Sequence, residues 1–275
     1  MKEPNLLPIL ANKDHFSPSV FTPENLLREA RRQKSIPEGI VPKICILDPD
    51  GDIVQNLLAT GRAHPNPYWA CYHTRMYNFT DKGIEFGIVG NAVGASFAVL
   101  VAEEMFVSGC QLLISMTSAG QIIRKGRPPY FVLIEKALRD EGTSYHYLPP
   151  TLFSAINPIL LECLKGVFEK SEPPVFLGAT WTTDAPFRET GTAVDYCRSE
   201  GILGVEMEAS ALYAFAEAKN HPVICFAHIT NQMGKVENDF EKGEVQGSRE
   251  AIEVISQAAE AWINQGNENK KRCSD

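Results

Sequence analysis

The segment Gly204–Ala216 reads GVEMEASALYAFA, with two carboxylates, Glu206 and Glu208, flanking Met207 at the head of an otherwise apolar helical stretch. No further charge follows until Glu217. The plainest account is that both acids favour a helix N-terminus, each by about 0.3–1 kcal/mol through the macrodipole. Residues two apart on a helix diverge by about 200°, so the pair cannot share one ligand by helical geometry. One can face a ligand while the other caps or pairs. Two loops follow predicted strands elsewhere, Thr117-Ser-Ala-Gly120 and Asp184–Thr190.

These groups need elements to hold them. GIEFGIVG (Gly83–Gly90) predicts a strand, NAVG a small-residue turn, and Ala95–Ser108 an apolar helix ended by Gly109. QLLISM (Gln111–Met116) predicts a second buried strand that leaves through Thr117–Gly120 as a polar loop. That is a βαβ unit with parallel strands, and ligands in such sheets bind beyond the strands' carboxyl ends. Residues 91–94 and 115–120 are therefore placed at a site. Upstream, Thr22-Pro23 opens a surface helix, Pro23–Lys34, and KICILDPDGDIV is a buried strand running into a turn at Asp48–Gly51. Downstream, Pro174–Thr183 and Pro222–Thr230 read as strands and Ser248–Asn264 as a closing helix. The expected organisation is an arm and surface helix over 1–36, one α/β domain over 37–264, and a polar tail over 265–275.

Composition limits the function. With 44% hydrophobic and 22% charged residues the chain supports a sizeable core, and a net charge of −8 argues against nucleic-acid or anionic-membrane partners. No run of about 18 apolar residues is present, and the start lacks a signal-like apolar segment, so a cytoplasmic protein is expected. Seven cysteines, most set among apolar neighbours, fit buried free thiols, and no CxxC, HxxxH or HExxH spacing suggests a metal site. GxxxxGK[ST], GxGxxG and GxSxG are all absent, which removes the commonest α/β alternatives.

Taken together, five stretches resemble one family in the right order. GVEMEASALYAFA resembles the ribose-binding segment of the nucleoside phosphorylase superfamily, in its uridine phosphorylase-like branch. NAVGASFAVLVAEEMFVSGCQLLISMTSAGQI is similar to its glycine-rich turn, helix, strand and Ser/Thr-Gly loop. GTSYHYLPP, TWTTDAPFRET and FAHITN resemble its histidine segment, base-recognition loop and last catalytic strand. The resemblance implies a single-domain nucleoside phosphorylase-like α/β fold, a mixed central β-sheet flanked by helices. It also implies cleavage of a nucleoside's C1′–N bond, with no cofactor and inorganic phosphate as co-substrate, to give free base and ribose 1-phosphate. A carboxylate accepting from the 2′- and 3′-hydroxyls would hold the sugar and stabilise its developing positive charge. On this resemblance Glu208 and Ser118 are catalytic, and Met207, Glu206 and Glu208 bind ribose. Phe187, Arg188 and Asn231 bind the base, and an amide at 231, where purine-cleaving relatives have an acid, favours a pyrimidine such as uridine. His228 keeps a purine reading open. A homo-oligomer, dimer or hexamer, is also implied.

The phosphate site departs from the family. Gly51 and Ser115 stand where relatives carry arginines. Losing two charged contacts of about 1.5–3 kcal/mol each would weaken phosphate binding by roughly two to four decades. The expected substitutes are backbone donors at Gly51 and Ser118 with Arg75 from a partner chain, ahead of Arg62, Arg124 or Arg127. The alternatives are a nucleosidase on the same fold and a non-catalytic nucleoside-binding protein. His146, and His15 reaching a neighbour's site, complete the candidates.

Overall fold

Residues 7–234, 237 and 239–272 are described here from a computed structural model, with side chains to residue 267. The chain begins with α1 (Pro23–Lys34), opened by the Thr22 hydroxyl accepting from the Asn25 N–H, with Pro23 in the first turn. β1 (Ile44–Asp48) is buried along its whole length. The expected turn at Asp48–Gly51 follows, but it feeds a short helix, α2 (Asp52–Ala59), that the hydrophobic run had concealed. β2 (His64–Pro65), β3 (Met76–Asp81), β4 (Ile84–Gly90), α3 (Ala95–Val107) and β5 (Leu112–Gln121) come next. Then come β6 (Tyr130–Asp140), β7 (Phe153–Ala155), α4 (Pro158–Cys163), β8 (Val175–Thr183) and α5 (Gly191–Ser199). β9 (Gly204–Glu206), α6 (Ala209–Lys219), β10 (Val223–Asn231) and α7 (Ser248–Arg272) complete it.

The sheet is mixed, as expected. β4 and β5 are parallel, but they are not neighbours: β1 lies between them, with Ile46 opposite both Ile88 and Ile114. β10 pairs parallel to β5 and antiparallel to β6, β6 parallel to β8, and β8 parallel to β9. β9 then pairs antiparallel with the far end of β5, Gly120 opposite Val205. Five strands therefore close on themselves, and β1, β4, β3 and β2 extend the sheet from β5. Closure demands a glycine at 204, since a Cβ there would stand 2.7 Å from Ile229 Cδ1 and 3.0 Å from the Gly120 carbonyl oxygen.

Two elements differ from the sequence expectation in ways that shape the site. β5 does not end at Met116. β10 covers it in register (Ala227 opposite Thr117, His228 opposite Ser118), so the residues expected in a loop are strand residues. The helix expected from Gly204 starts only at Ala209, so Glu206 closes a strand and Glu208 is the residue before the helix. α6 carries no charge before Glu217 because residues Ala209–Phe215 are all buried. At the N-terminus, Lys13 Nζ and His146 Nδ1 are 3.0 Å apart and His15 Nε2 lies 3.2 Å from the Tyr145 carbonyl oxygen, so the arm from residue 7 folds onto its own chain. α7 continues to Arg272, beyond the expected Asn264.

Tyr213 ties α6 to the sheet, its hydroxyl donating to the Ile134 carbonyl at 2.6 Å and accepting from the Cys225 N–H at 3.1 Å. Tyr213→Phe strands that buried N–H and is expected to lower unfolding free energy by about 1–3 kcal/mol, read from urea denaturation.

Candidate active site

β9 and α6 meet at Glu206-Met207-Glu208, and the two carboxylates diverge there. Glu206 Oε1 accepts from the hydroxyls of Thr180, at 3.0 Å, and Thr182, while Oε2 accepts from the N–H groups of Glu208 and Ala209, both at 2.7 Å. A carboxylate offers about four acceptor positions. All four are filled, by two threonines on one face of β8 and by the first N–H groups of α6. Glu206 is thus the helix-capping acid, and the expectation that its carboxylate binds ribose is corrected: it has no acceptor left for a sugar. Thr182 Oγ1 also accepts from the Ser210 N–H at 2.9 Å, which extends the same clamp by one residue.

Glu208 turns the other way. Its Oε1 accepts from the Gly94 N–H at 2.7 Å, and its Oε2 from the Thr117 hydroxyl at 2.8 Å and its neighbour Met207's N–H at 3.3 Å. The turn after β4, the middle of β5 and the start of α6 therefore converge on one carboxylate. It is 1% exposed. Burial, reinforced by the nearby Glu206 charge and opposed by the Gly94 and Thr117 donors, pushes its pKa up to about 7. Glu206 moves upward too, again through burial first.

Beside this pair a cleft of about 660 Å³ opens, walled by Ser118, Ala119, Gly120, Val205, Glu206, Met207 and Asn231 on the sheet side. That volume lies within the common range for small-molecule sites. Glu208 lies behind this wall, one residue beyond Met207. Pro186, Phe187 and Glu189 border the cleft, and Phe187 is 99% exposed at its edge. Arg188 is exposed and is not part of the wall, so the structure does not bring this base-binding candidate to the cleft. Asn231 is part of it, with Oδ1 accepting from the Met233 N–H at 2.8 Å and Nδ2 donating to Thr230 Oγ1 at 3.1 Å. Sequence reasoning missed Val194, Asp195 and Arg198, which α5 lends to the cleft, with Arg198 paired to Asp195. Nothing in a nine-residue amphipathic helix marks its inner face as a ligand wall. Glu189 also lines it, and burial raises its pKa. Asp184 instead ties its loop to the Gly142 N–H at 2.8 Å.

A second, small cavity of about 20 Å³ lies on the other side of Ser118, lined by Asp48, Asp50, Asp52, Thr117, His228 and Gln246 among others. No arginine borders it among the described residues. Lys242 Nζ is held by Asp50 at 2.9 Å and by Asp52. Burial pushes Asp48 up to about 7, with Asp50 and Asp52 adding to the rise against the Val54 N–H. Burial lowers His228 to about 4, and its ring stacks on Phe131 at 4.6 Å. Gly51 has φ +80, and its N–H donates to the Asp48 carbonyl at 3.0 Å. That turn bond leaves Gly51 no N–H for phosphate, which corrects the expectation. With this left-handed φ, any larger residue at 51, arginine included, would be strained, and its Cβ would have to displace the Asn91 side chain, whose Oδ1 would stand 2.5 Å away. Ser115 is 1% exposed, its hydroxyl without a partner among the described residues. Arg75 is exposed next to Met76, whose register with Val89 sets it beside the end of β4, and it borders neither cavity. Arg124 and Arg127 are exposed, and Arg62 pairs with Asp81.

A buried acid held by the turn after β4 and by β5, with a cleft of small-molecule size beside it, describes an α/β site for a small polar ligand. The chain belongs to the family described as the Phosphorylase superfamily, matching it over residues 43–262. It is 24% identical over 218 residues to the uridine phosphorylase of Thermococcus kodakarensis, covering 73% of this chain and 74% of that protein. It is 23% identical over 145 residues to the guanosine phosphorylase of Halorubrum lacusprofundi, covering 53% of this chain and 60% of that protein. The chain thus aligns with less than two thirds of the guanosine phosphorylase's length. Its fold is similar to that of uridine phosphorylase from Vibrio fischeri ES114, with TM-score 0.69, 20% identity, and 82% and 92% of the two chains covered. It is also similar to the 5′-methylthioadenosine/S-adenosyl homocysteine nucleosidase of Campylobacter jejuni, with TM-score 0.63, 18% identity, and 79% and 97% covered. A nucleoside phosphorylase-like, mixed-sheet α/β fold is what the sequence motifs implied.

The raised pKa of Glu208 has a consequence for stability. A carboxyl that moves from 4.5 to about 7 on folding binds its proton more tightly in the folded state, so its contribution is full below 4.5 and is lost as pH rises to about 7. Glu208→Gln cannot titrate. Its unfolding free energy, read from urea denaturation, is expected to fall less between pH 4.5 and 8 than the wild type's, a difference of about 1–3 kcal/mol.

Proposed function

We propose that the protein cleaves the N-glycosidic bond of a nucleoside, with Glu208 holding the sugar. The observation that carries this reading is a buried carboxylate, positioned by three separate elements, directly behind the Ser118–Met207 wall of an open cleft. Ionised, Glu208 accepts from a sugar hydroxyl and faces the positive charge that grows on the ring as C1′–N breaks. Ala119, Gly120 and Val205 offer the base a flat apolar wall, with Phe187 at its edge. Asn231 lines the cleft, and on the resemblance to purine-cleaving relatives, which carry an acid near this position, its amide favours a pyrimidine base such as that of uridine.

The surroundings of Ser118 favour water as the nucleophile. The small cavity there has room for about one water molecule. Three aspartates line it, and its nearest lysine is already paired with two of them. An entering phosphate would meet carboxylates. Phosphorolysis to ribose 1-phosphate is the second reading, supported by the similarity to proteins named uridine and guanosine phosphorylase. In that reading Lys242 leaves its aspartates for phosphate, and a partner subunit of a homo-oligomer brings Arg75.

The test is incubation with uridine, guanosine and their kin, with and without phosphate, followed by identification of the sugar product. Free ribose at equal rates in both conditions is expected. Ribose 1-phosphate formed only with phosphate supports the second reading, and binding without turnover overturns both. Glu208→Gln is expected to lower kcat/KM by about two to three orders of magnitude, the equivalent of about 3–4 kcal/mol of transition-state stabilisation. Undiminished turnover would remove Glu208 from the chemistry.

A further inference from the structure

The charges and rings at the outer edge of the cleft have no part in the chemistry described so far. Glu189 lines the cleft half-buried, and its carboxylate has no hydrogen-bond or ion-pair partner among the described residues. Burial raises its pKa, with no cation beside it to oppose the rise. Its neighbour Arg188 is exposed and outside the wall. Arg198 is the one cation in the wall among the described residues, and Asp195 already holds it at 2.5 Å. The uncompensated charge of the cleft is therefore negative, in a chain of net charge −8. Two aromatic rings, Phe187 and Phe240, border the same cleft and are 99% and 65% exposed. Carboxylates and open aromatic faces are the groups that recognise a flat organic cation, through charge and through the ring quadrupole. Asn231 adds a chemical constraint. Its amide holds no titratable proton, and its Oδ1 is spent on the Met233 N–H, so it cannot hand a proton to a departing base. A neutral purine leaves slowly without one. A base that is already cationic does not need it.

We infer that the cleft takes nucleosides whose base is a quaternised, cationic heteroaromatic ring, a ribosylpyridinium or a 7-alkylpurinium, held by Glu189, Phe187 and Phe240. This rests on the reading of the cleft as a nucleoside site and goes beyond it in naming the base. When the C1′–N bond breaks, its electron pair returns to the ring and cancels the charge, so the base departs neutral and unprotonated. The oxygen of water bonds to C1′, and the proton it sheds passes to solvent. One cationic nucleoside and one water thus give a neutral base, free ribose and one proton. A neutral nucleoside releases no such proton, because its departing base takes one up. Glu189 holds the charge before it moves to the sugar, so its effect falls on KM more than on kcat. The neutral product is held less tightly than the cation that entered, which favours its release.

The probes are nicotinamide riboside and, in slightly acidic buffer, 7-methylguanosine, each compared with neutral guanosine and uridine. Binding is read by calorimetry in Glu208→Gln, where turnover is slow, and kcat, KM and proton release are read in the wild type. Both cations are expected to bind about tenfold or more tighter than the neutral nucleosides, a preference that shrinks as salt is added. Each turnover of a cation should release one proton. Glu189→Gln should narrow the cation-to-neutral ratio by about three- to tenfold, through KM, while Glu189→Asp keeps most of it. Phe187→Leu should narrow it by about two- to fivefold. Partial unfolding cannot mimic a changed ratio, since it weakens charged and neutral nucleosides alike. A preference for one cationic ring over the other, still dependent on Glu189, supports the inference and names the ring. Equal binding of charged and neutral nucleosides, or a ratio that Glu189→Gln leaves unmoved, overturns it while leaving glycosidic cleavage intact. Guanosine cleavage that Glu189→Gln abolishes also overturns it, by making Glu189 the proton donor to a neutral base. No binding and no cleavage of any nucleoside overturns the reading of the cleft and this inference with it.

Discussion

Glu206 holds the site together, bordering the cleft while its carboxylate is spent on the protein's own donors. Its four acceptor positions are filled by Thr180, Thr182 and the first two N–H groups at the head of α6, and it is 3% exposed. A buried carboxylate is tolerable only where its lone pairs are satisfied, because desolvation otherwise costs several kcal/mol. The threonines come from β8 and the N–H groups from the next helix. The same four bonds therefore weld the end of β9 between them. Glu208 gains its direction from that weld, since its own backbone N–H is one of the four. The two acids form a hierarchy: one is saturated and structural, and the other is left with a free position.

The closed arrangement of strands serves the same end. β5 carries Thr117 and Ser118 on successive positions of a strand, so one side chain meets Glu208 while the other borders both cavities. Alternation along a strand makes that separation rigid in a way a loop would not. β9, only three residues long, completes the circuit and presents Val205 to the cleft. The strands that build the core thus also build the wall, while Pro186, Phe187, Glu189 and the α5 face form its outer edge.

Much of this was legible in the sequence because it rests on local pattern. The strand–turn–helix–strand run through residues 83–116 and the apolar α6 announced themselves by periodicity and by small residues at the turn. What misled was register at the junctions. A helix beginning at Gly204 sets Glu206 and Glu208 on opposite faces of one element, whereas the break at Met207 gives each its own element and its own partners. Thr180 and Thr182 lay in plain view as alternate residues of β8, yet only tertiary pairing shows that both aim at Glu206. Thr117 was hidden more deeply. Its role depends on β10 prolonging β5, a long-range contact that no local signal reports. The missing arginines at 51 and 115 were visible as absences, but the three aspartates and Lys242 that stand in their neighbourhood come together only on folding.

The crowding at Gly51 bears on how this chain could change over generations. Gly51 sits left-handed against the Asn91 side chain. A substitution toward arginine at 51 would carry the cost of that backbone conformation, about 1–3 kcal/mol, even after the exposed Asn91 turned aside. A cation at this position of the loop therefore comes only with a change of backbone, which leaves the acidic pocket dependent on charge supplied from elsewhere.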